Sequence, residues 1–196
     1  MSKKNRSTPG LYFRFIGALF SGGTADLGDP RPTGSLKGWG KAGLQSVVAV
    51  ASSQLDAQLA SLDRTLSRAQ LLFTTVLALG AFLFATAPAV WASSTDMWGE
   101  LVPRVVWLAA GVLMLLSLLG TTALIAIRKR YEGMSATVLS TWESFDEERF
   151  AREYAECVGE GELTTNAHLT VFGASVRLSL YGALCLGAAW AMTQLM

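Results

Sequence analysis

The chain has 196 residues, which is enough for one domain or a small helical bundle. Hydrophobic residues make up 51 % of it and charged residues only 16 %, which is below the share of about one quarter found in soluble domains. The formal net charge of +1 by itself says nothing about a nucleic-acid or anionic partner, and we predict no nucleic acid polymer as a partner. The composition excludes an ordinary water-soluble domain.

The apolar residues are concentrated in three long stretches. Lys, Arg, Asp and Glu are absent from residues 70–91, 105–127 and 178–196. Each stretch has about 20 residues, which as a helix cross roughly 30 Å of hydrocarbon. We therefore predict an all-α integral membrane protein with three transmembrane helices, at 70–91, 105–127 and 174–196, and with a small cytoplasmic helical bundle.

The basic residues predict how these helices are oriented. Nine of the 16 Lys and Arg residues lie within residues 1–69, only Arg104 lies between the first two spans, and six lie within 128–177. Because basic residues concentrate on the cytoplasmic side, we predict a multi-pass protein of the cell inner membrane with a cytoplasmic N-terminus. The segment 92–104 is then an outer loop, and 128–173 is a cytoplasmic helical segment.

Two further signals agree with this orientation, in which the lipid bilayer is the main partner. The basic run Arg128-Lys129-Arg130 directly follows the second span, as expected on the cytoplasmic side. Tryptophan rings favour membrane interfaces. Four of them are predicted at the outer interface: Trp91, Trp98, Trp107 and Trp190.

The N-terminal part is predicted to change from linker to helix. Residues 1–41 are rich in Gly, Pro, Ser and Lys, which is typical of a flexible segment; we expect a cytoplasmic tail that touches the inner leaflet. Residues 42–69 are predicted to form an amphipathic helix that continues into the first span and ends near Ala87, before Pro88. Its apolar stripe consists of Leu44, Val48, Ala51, Leu55, Leu59, Leu62, Leu66 and Ala69.

The segment before the third span supplies the predicted packing partner of that stripe. Residues 141–158 have helical spacing of apolar residues, and Glu148 and Arg152 form a favourable i,i+4 pair. The sequence GEGE at 159–162 is predicted to interrupt the helix, and a last helix is predicted from about Leu163. Packing of this segment against 42–69 gives the predicted cytoplasmic bundle.

Signatures of an enzyme are nearly absent, so we predict no catalytic residue, no metal and no cofactor. His168 is the only histidine, and no Cys/His spacing suits a metal ion. The stretch GSLKGWGKAG resembles a phosphate-binding loop, but Ser35 and Ala42 stand where that motif needs glycine and a hydroxyl residue. The acidic run 146–148 is interpreted as a solvated helix face.

Small residues form a row with a spacing of four on the third span. The row consists of Ser175, Ser179, Ala183, Gly187 and Ala191. Small residues let helices approach closely in lipid. The row therefore predicts either packing within one chain or self-association into a homo-oligomer. Arg177 lies beside it and is expected either to extend to the inner interface or to face a polar path within the bundle.

The arrangement of the chain resembles that of the small transmembrane effectors of the Pycsar anti-phage systems. It has three spans, a helical arm before the first span and a helical insert before the last. The family's patch of the form ADTKAS–LL is similar to residues 66–72, with Asp63 nearby and Arg68 in place of the lysine. Its acidic helix, break and polar-to-basic start of the last span are similar to 150–163 and 174–184.

This resemblance implies a membrane effector of abortive infection. In such a system a cyclase makes a cyclic pyrimidine mononucleotide on infection, and the effector then impairs the inner membrane. Arg64 and Arg68 are the candidate phosphate partners, or they anchor the helix at the inner interface. The alternative function is a small structural or accessory membrane protein that binds a protein partner through its cytoplasmic helices. A transporter or channel is disfavoured, because no span has a charge at its centre.

Overall fold

The structure, a computed structural model, describes residues 8–21, 34–92, 97–126 and 146–195. These residues form four helices and contain no strand: α1 (Thr8–Ser21), α2 (Lys41–Ala92), α3 (Met97–Ala126) and α4 (Glu147–Leu195). The predicted all-α class is confirmed for this part of the chain. Helices α2, α3 and α4 are each long and apolar enough to cross a membrane.

Some predicted features lie outside the described residues. They are the linker at 22–33, the middle of the outer loop at 93–96, the basic run 128–130 and the first residues of the helix predicted at 141–158. The rest of the predicted outer loop, from Met97 onwards, belongs to helix α3.

The helices contribute to two compact units. Unit 1 comprises the described residues of Met1–Ala25, Leu66–Ile127 and Thr170–Met196. Unit 2 comprises those of Asp26–Thr65 and Arg128–Leu169. Helices α2 and α4 supply residues to both, whereas α1 and α3 belong to unit 1.

Helix α2 buries a stripe that repeats every seven residues. In unit 2 one line of the stripe includes Leu44, Ala51 and Thr65, and in unit 1 a second line, which starts four positions after Thr65, includes Ala69, Val76 and Leu83. A seven-residue repeat keeps one face of a helix against its neighbours along its whole length. Of the eight residues of the stripe predicted from sequence, four are buried and three are partly buried, whereas Leu59 lies off this repeat and is exposed.

The predicted end of α2 near Ala87 is wrong, because the helix continues through Pro88 to Ala92. Proline removes one backbone donor, here the one for Phe84 O four residues earlier, which a helix tolerates where neighbouring helices pack beside it. Helix α3 packs beside this turn, since Leu83 O accepts hydrogen bonds from Thr86 Oγ1 at 2.9 Å and from Trp107 Nε1 of α3 at 3.1 Å.

Helix α4 starts at a capped aspartate. Asp146 Oδ1 accepts hydrogen bonds from the backbone N–H groups of Glu148 at 2.9 Å and Arg149 at 3.4 Å, which is the geometry of an N-cap. The acidic run 146–148 is therefore the start of a helix, where its negative charges interact favourably with the positive end of the helix dipole. The predicted pair of Arg152 Nη2 and Glu148 Oε1 is confirmed at 2.8 Å.

The predicted break at GEGE is also wrong, because α4 is one helix from Glu147 to Leu195. A glycine inside a helix costs only about 1 kcal/mol relative to alanine, which packing can offset. Gly161 is buried in unit 2, and Gln58 Nε2 of α2 donates a hydrogen bond to Val158 O at 3.2 Å. Tertiary contacts thus hold this segment in the helical state.

Helix α1 occupies part of the segment predicted as a linker. Its Tyr12 and Phe15 are 4 % and 1 % exposed, and the helix packs against α3. Tyr12 Oη donates a hydrogen bond to Leu116 O. Pro9 lies in the first turn, where its missing N–H is not needed. A helix this short depends on tertiary packing, which explains why its sequence alone resembles a linker.

Unit 1 exposes apolar side chains and buries hydroxyl groups. In the most apolar segment of each long helix, only 17 % (α2), 39 % (α3) and 28 % (α4) of the residues are buried. Phe84 and Leu184 are among the exposed side chains. Inside, Ser117 Oγ donates a hydrogen bond to Ser175 O at 2.8 Å. An apolar exterior around small polar contacts is typical of helices that pack in lipid.

An aromatic cluster joins one end of α2 to α3. The rings of Trp91 and Trp107 meet edge to face at 6.5 Å, and Arg104 Cζ lies 5.2 Å from the Trp91 ring centre. Trp107 Nε1 also contacts Thr86 Oγ1 at 3.3 Å. The cluster brings two of the four tryptophans predicted at the outer interface together.

We expect Trp107→Phe to destabilise unit 1, because phenylalanine keeps a ring but loses the indole donor. The expected loss is about 0.5–1.5 kcal/mol, the usual net value of a hydrogen bond. Thermal melting of the purified chain in detergent measures it. Trp190→Phe, at an exposed position, is the matched control, and equal melting shifts in both variants would contradict this role for the indole.

Candidate functional site

The two arginines predicted to meet a phosphate are both exposed on α2. Arg64 and Arg68 lie one helical turn apart, and each directly precedes a buried residue, Thr65 and Ala69 respectively. Arg64 is a residue of unit 2, and Arg68 is a residue of unit 1. Their exposure leaves both guanidinium groups accessible, and their role in ligand binding stays a prediction.

Unit 2 contains a groove that the sequence did not predict. Its volume is about 380 Å³, within the range of about 300–1,000 Å³ of ligand sites. Its walls are mainly aliphatic, with an indole and two polar side chains. The groove is lined by Trp39, Ser46, Val47, Val50, Ala51, Gln54, Ala155 and Val158.

The turn before α2 sets the position of Trp39 in this groove. Gly38 has a φ of +85°, which glycine adopts without strain, and the Trp39 N–H donates to Leu36 O at 3.1 Å. Leu36 is anchored in the core of unit 2 with Leu44. The indole ring packs on Gly43, where an added Cβ would lie 3.2 Å from Trp39 Cε3.

The chemistry of the groove suits a planar, uncharged ring. Trp39 is half exposed, so its indole offers a face for stacking, and Gln54 adds donor and acceptor groups. Ser46 Oγ is engaged locally, because it donates to Gly43 O at 2.7 Å. The lining contains no charged residue, so an anionic group of a ligand needs a cation from beyond the groove.

A polar contact lies beside the groove, between α2 and α4 of unit 2. Gln58 Nε2 donates to Val158 O, which lines the groove, while the buried Gln58 Oε1 has no hydrogen-bond partner among the described residues. Further along α4, His168 Nδ1 donates to Thr164 O at 2.9 Å when that nitrogen carries the proton. The helix pair of unit 2 therefore includes buried polar groups besides its apolar core.

The ion pair between Lys41 and Glu147 joins the starts of α2 and α4. Lys41 Nζ lies 2.9 Å from Glu147 Oε1, with both side chains partly exposed. A surface pair of this kind contributes about 0–1 kcal/mol. Together with the contact of Gln58 with Val158, the pair shows that α2 and α4 run parallel in unit 2.

The row of small residues on α4 is split between the interior and the surface of unit 1. Ser175 and Ser179 are buried, Ala183 is half buried, and Gly187 and Ala191 are exposed. A row with a spacing of four turns by about 40° at each step around a helix of 3.6 residues per turn. The row therefore leaves the packed face before it reaches Gly187.

The buried line of α4 instead has a spacing of seven, which drifts by only about 20° per step. In unit 1 it consists of Ser175, Gly182 and Ala189, all buried. A Cβ on Gly182 would lie 3.0 Å from Met114 Cγ of α3 and 3.4 Å from Ala110 O. A search of the sequence for small residues at seven-residue spacing would have found this line.

A tight contact joins α1, α3 and α4 inside unit 1. A Cβ on Gly120 would collide with the Tyr12 hydroxyl and would lie 2.5 Å from Ser175 Oγ. Only glycine leaves room for the Tyr12 ring at this place. Ser175 of the predicted row thus packs inside the chain, whereas Gly187 faces open space.

Within the described ranges, no group of three or more His, Cys, Asp or Glu residues could hold a metal ion. No family model, curated protein or solved structure matches this chain.

Proposed function

We propose that the chain is a membrane effector of a cyclic-nucleotide-activated anti-phage system, which impairs the integrity of the inner membrane when it is signalled. In this proposal, unit 1 crosses the membrane and unit 2 is the cytoplasmic helical bundle. One observation carries the proposal: α2 and α4 each run without a helix break from residues of unit 2 to residues of unit 1. Repacking of these helices in unit 2 would therefore act on the same helices in unit 1.

Membrane placement is supported by how the side chains are distributed. Glu100 is the only acidic residue among the described residues of unit 1, whereas α4 alone brings a series of glutamates to unit 2. Exposed apolar side chains of unit 1, such as Phe84, would be unfavourable in water and favourable against acyl chains. The positive-inside rule then places the N-terminus in the cytoplasm.

The ligand in this proposal is a cyclic pyrimidine mononucleotide. The groove at Trp39 has the size and the stacking surface for a base, and Gln54 can hydrogen-bond to its edge. The arginines predicted from the sequence, Arg64 in unit 2 and Arg68 in unit 1, are separate candidates for the phosphate, because Arg64 already lies ten residues, or about 15 Å, beyond Gln54 along α2. The alternative role of both arginines, anchoring α2 at the inner interface, agrees equally with their exposure.

Self-association is the proposed route from signal to membrane damage. A Cβ added on Gly187 would meet no atom within 4 Å, and Ala191 is exposed one turn further along α4. Because these two residues are small and lie between larger apolar side chains, a helix of a second copy can approach closely there in lipid. The proposal is thus a homo-oligomer that assembles through the outward half of the predicted row.

Expression of the chain with and without a pyrimidine cyclase tests the function. We expect dye entry and loss of membrane potential only when both proteins are present. An intact membrane in cells that contain both the chain and the cyclic nucleotide would contradict the effector function. An inactive cyclase variant is the control for the burden of expressing two proteins.

Two sets of variants distinguish the candidate ligand positions. If the base stacks on Trp39, then Trp39→Ala should weaken binding of cyclic CMP or cyclic UMP by about tenfold or more, the effect of about 1–3 kcal/mol for an aromatic stack. If Arg64 or Arg68 holds the phosphate, Arg64→Gln or Arg68→Gln should weaken binding similarly. Trp190→Ala in unit 1 is the matched control.

The second candidate function is that of an accessory membrane protein that binds a protein partner through unit 2. Its support is a set of exposed apolar side chains on this otherwise charged unit: Trp39, Val50 and Leu59. Singly exposed apolar residues are common, so this support is weaker. A chain that binds no nucleotide but captures one defined protein from its own cells would favour it.

A further inference from the structure

Unit 1 contains a second groove, between α1, α3 and α4. Its volume is about 400 Å³, and its walls are apolar except at one side chain. Arg177 of α4 supplies the charge, while Phe13 and Leu178 supply much of the apolar wall. The complete lining is Pro9, Tyr12, Phe13, Leu116, Ala174, Arg177 and Leu178.

The contacts between α3 and α4 show how deep Arg177 lies along the apolar helices. Ser117 donates to Ser175 O, and Gly182 packs on Ala110 and Met114. Arg177 is therefore level with α3 residues near Leu116, which lies close to the middle of the apolar stretch Leu101–Ala126. The last residue of that stretch is about ten residues, or about 15 Å, further along α3.

An arginine at this depth is costly in hydrocarbon unless an anion or water accompanies it. Arg177 is exposed, and its neighbours Val176 and Leu180 are exposed apolar residues. The side chain thus faces the surroundings of the bundle on an apolar face. Arg177 is also the last charged residue before the stretch 178–196 of α4, so its guanidinium can extend toward the headgroup layer. A phosphate of that layer is the natural group to neutralise it.

The rest of the groove fits the part of a lipid that follows its headgroup. The hydroxyl of Tyr12 is directed to Leu116 O, so its ring serves as an apolar wall. Together with Phe13 and Leu178 it offers a surface for an acyl chain beside the guanidinium. Guanidinium binds phosphate through two parallel hydrogen bonds.

We propose that this groove binds one anionic glycerophospholipid, with its phosphate on Arg177 and the start of an acyl chain against Tyr12, Phe13 and Leu178. The lipid then fills the space between α1, α3 and α4 and holds α1 against the other helices of unit 1. This proposal rests on the membrane placement described above, and it does not depend on activation by a nucleotide.

Native mass spectrometry of the full chain in detergent tests the proposal with two lipids of equal acyl chains, phosphatidylglycerol and phosphatidylcholine. We expect one retained phosphatidylglycerol per chain. Arg177→Gln should lower its retention by about tenfold or more, as expected for loss of a charged hydrogen-bond pair. Arg152→Gln, which removes one positive charge from unit 2, is the control. Equal retention by wild type and Arg177→Gln would overturn the proposal.

A second variant keeps the charge and fills the groove. Ala174→Phe should lower the retention of phosphatidylglycerol, and retention of this lipid at the wild-type level by this variant would also overturn the proposal. Thermal melting and elution as a single species verify folding of each variant. Because no cyclase is used, an inactive effector does not affect these results. Recovery of the wild-type chain in the soluble fraction would instead contradict its membrane placement.

Discussion

Gly120→Leu is expected to detach α1 from the rest of unit 1. A Cβ at this position would already collide with the Tyr12 hydroxyl, and Ser175 Oγ closes the space from α4 at 2.5 Å. Overpacking typically costs about 1–3 kcal/mol and occasionally more. The colliding atoms belong to a buried ring whose hydroxyl bonds to Leu116 O, so we expect the upper part of this range.

Trypsin cleavage after Arg14 measures the detachment directly. Arg14 lies in α1, where helical structure slows cleavage, and release of α1 should speed it. Gly80→Leu is the matched control, because an added Cβ on Gly80 meets nothing within 4 Å. Unchanged cleavage and melting of Gly120→Leu would show that α1 does not depend on the Tyr12 contact.

Gly182→Leu is expected to separate α4 from α3, whereas Gly187→Leu is expected to leave the folded chain intact. Gly182 is buried, and Met114 Cγ, Ala110 O and Leu113 Cβ lie within 3.0–3.5 Å of an added Cβ. Thermal melting in detergent should therefore show a large loss for Gly182→Leu, by about 1–3 kcal/mol or more. Similar melting of the two variants would contradict the seven-residue packing line.

The same pair of variants tests self-association. If copies associate through the outward half of the small-residue row, Gly187→Leu should abolish oligomers in detergent crosslinking while keeping the melting temperature of the wild type. Unchanged oligomers would remove this surface from the proposed mechanism. Separating folding from assembly in this way is possible because Gly187 faces open space and Gly182 does not.

The sequence was least informative where short-range preferences conflict with packing. Gly159 and Gly161 predicted a break, yet α4 is continuous there, since each glycine costs little and Gly161 is buried in unit 2. The prediction that α2 ends before Pro88 failed for a related reason. Trp107 of α3 packs beside that turn and donates a hydrogen bond to Leu83 O, a tertiary contact that no local pattern shows.

The candidate sites show the same limit. Trp39 lies in a stretch predicted as a linker, and its place in a groove depends on Gly38, Leu36 and the distant residues Ala155 and Val158. The groove at Arg177 depends on α1, which the sequence did not predict as a helix. Neither groove is visible in a local pattern, because residues far apart in the chain form each of them.

The sequence by itself determined the all-α class and the positions of three long apolar helices, because uncharged stretches of this length are a property of consecutive residues. It also determined the Glu148–Arg152 pair, which depends only on helical spacing. Only the tertiary structure decided which small residues of α4 face inwards, since a spacing of four and a spacing of seven diverge around the helix. It likewise decided that residues 8–21 form a helix, because that segment becomes stable only when Tyr12 and Phe15 are buried against α3.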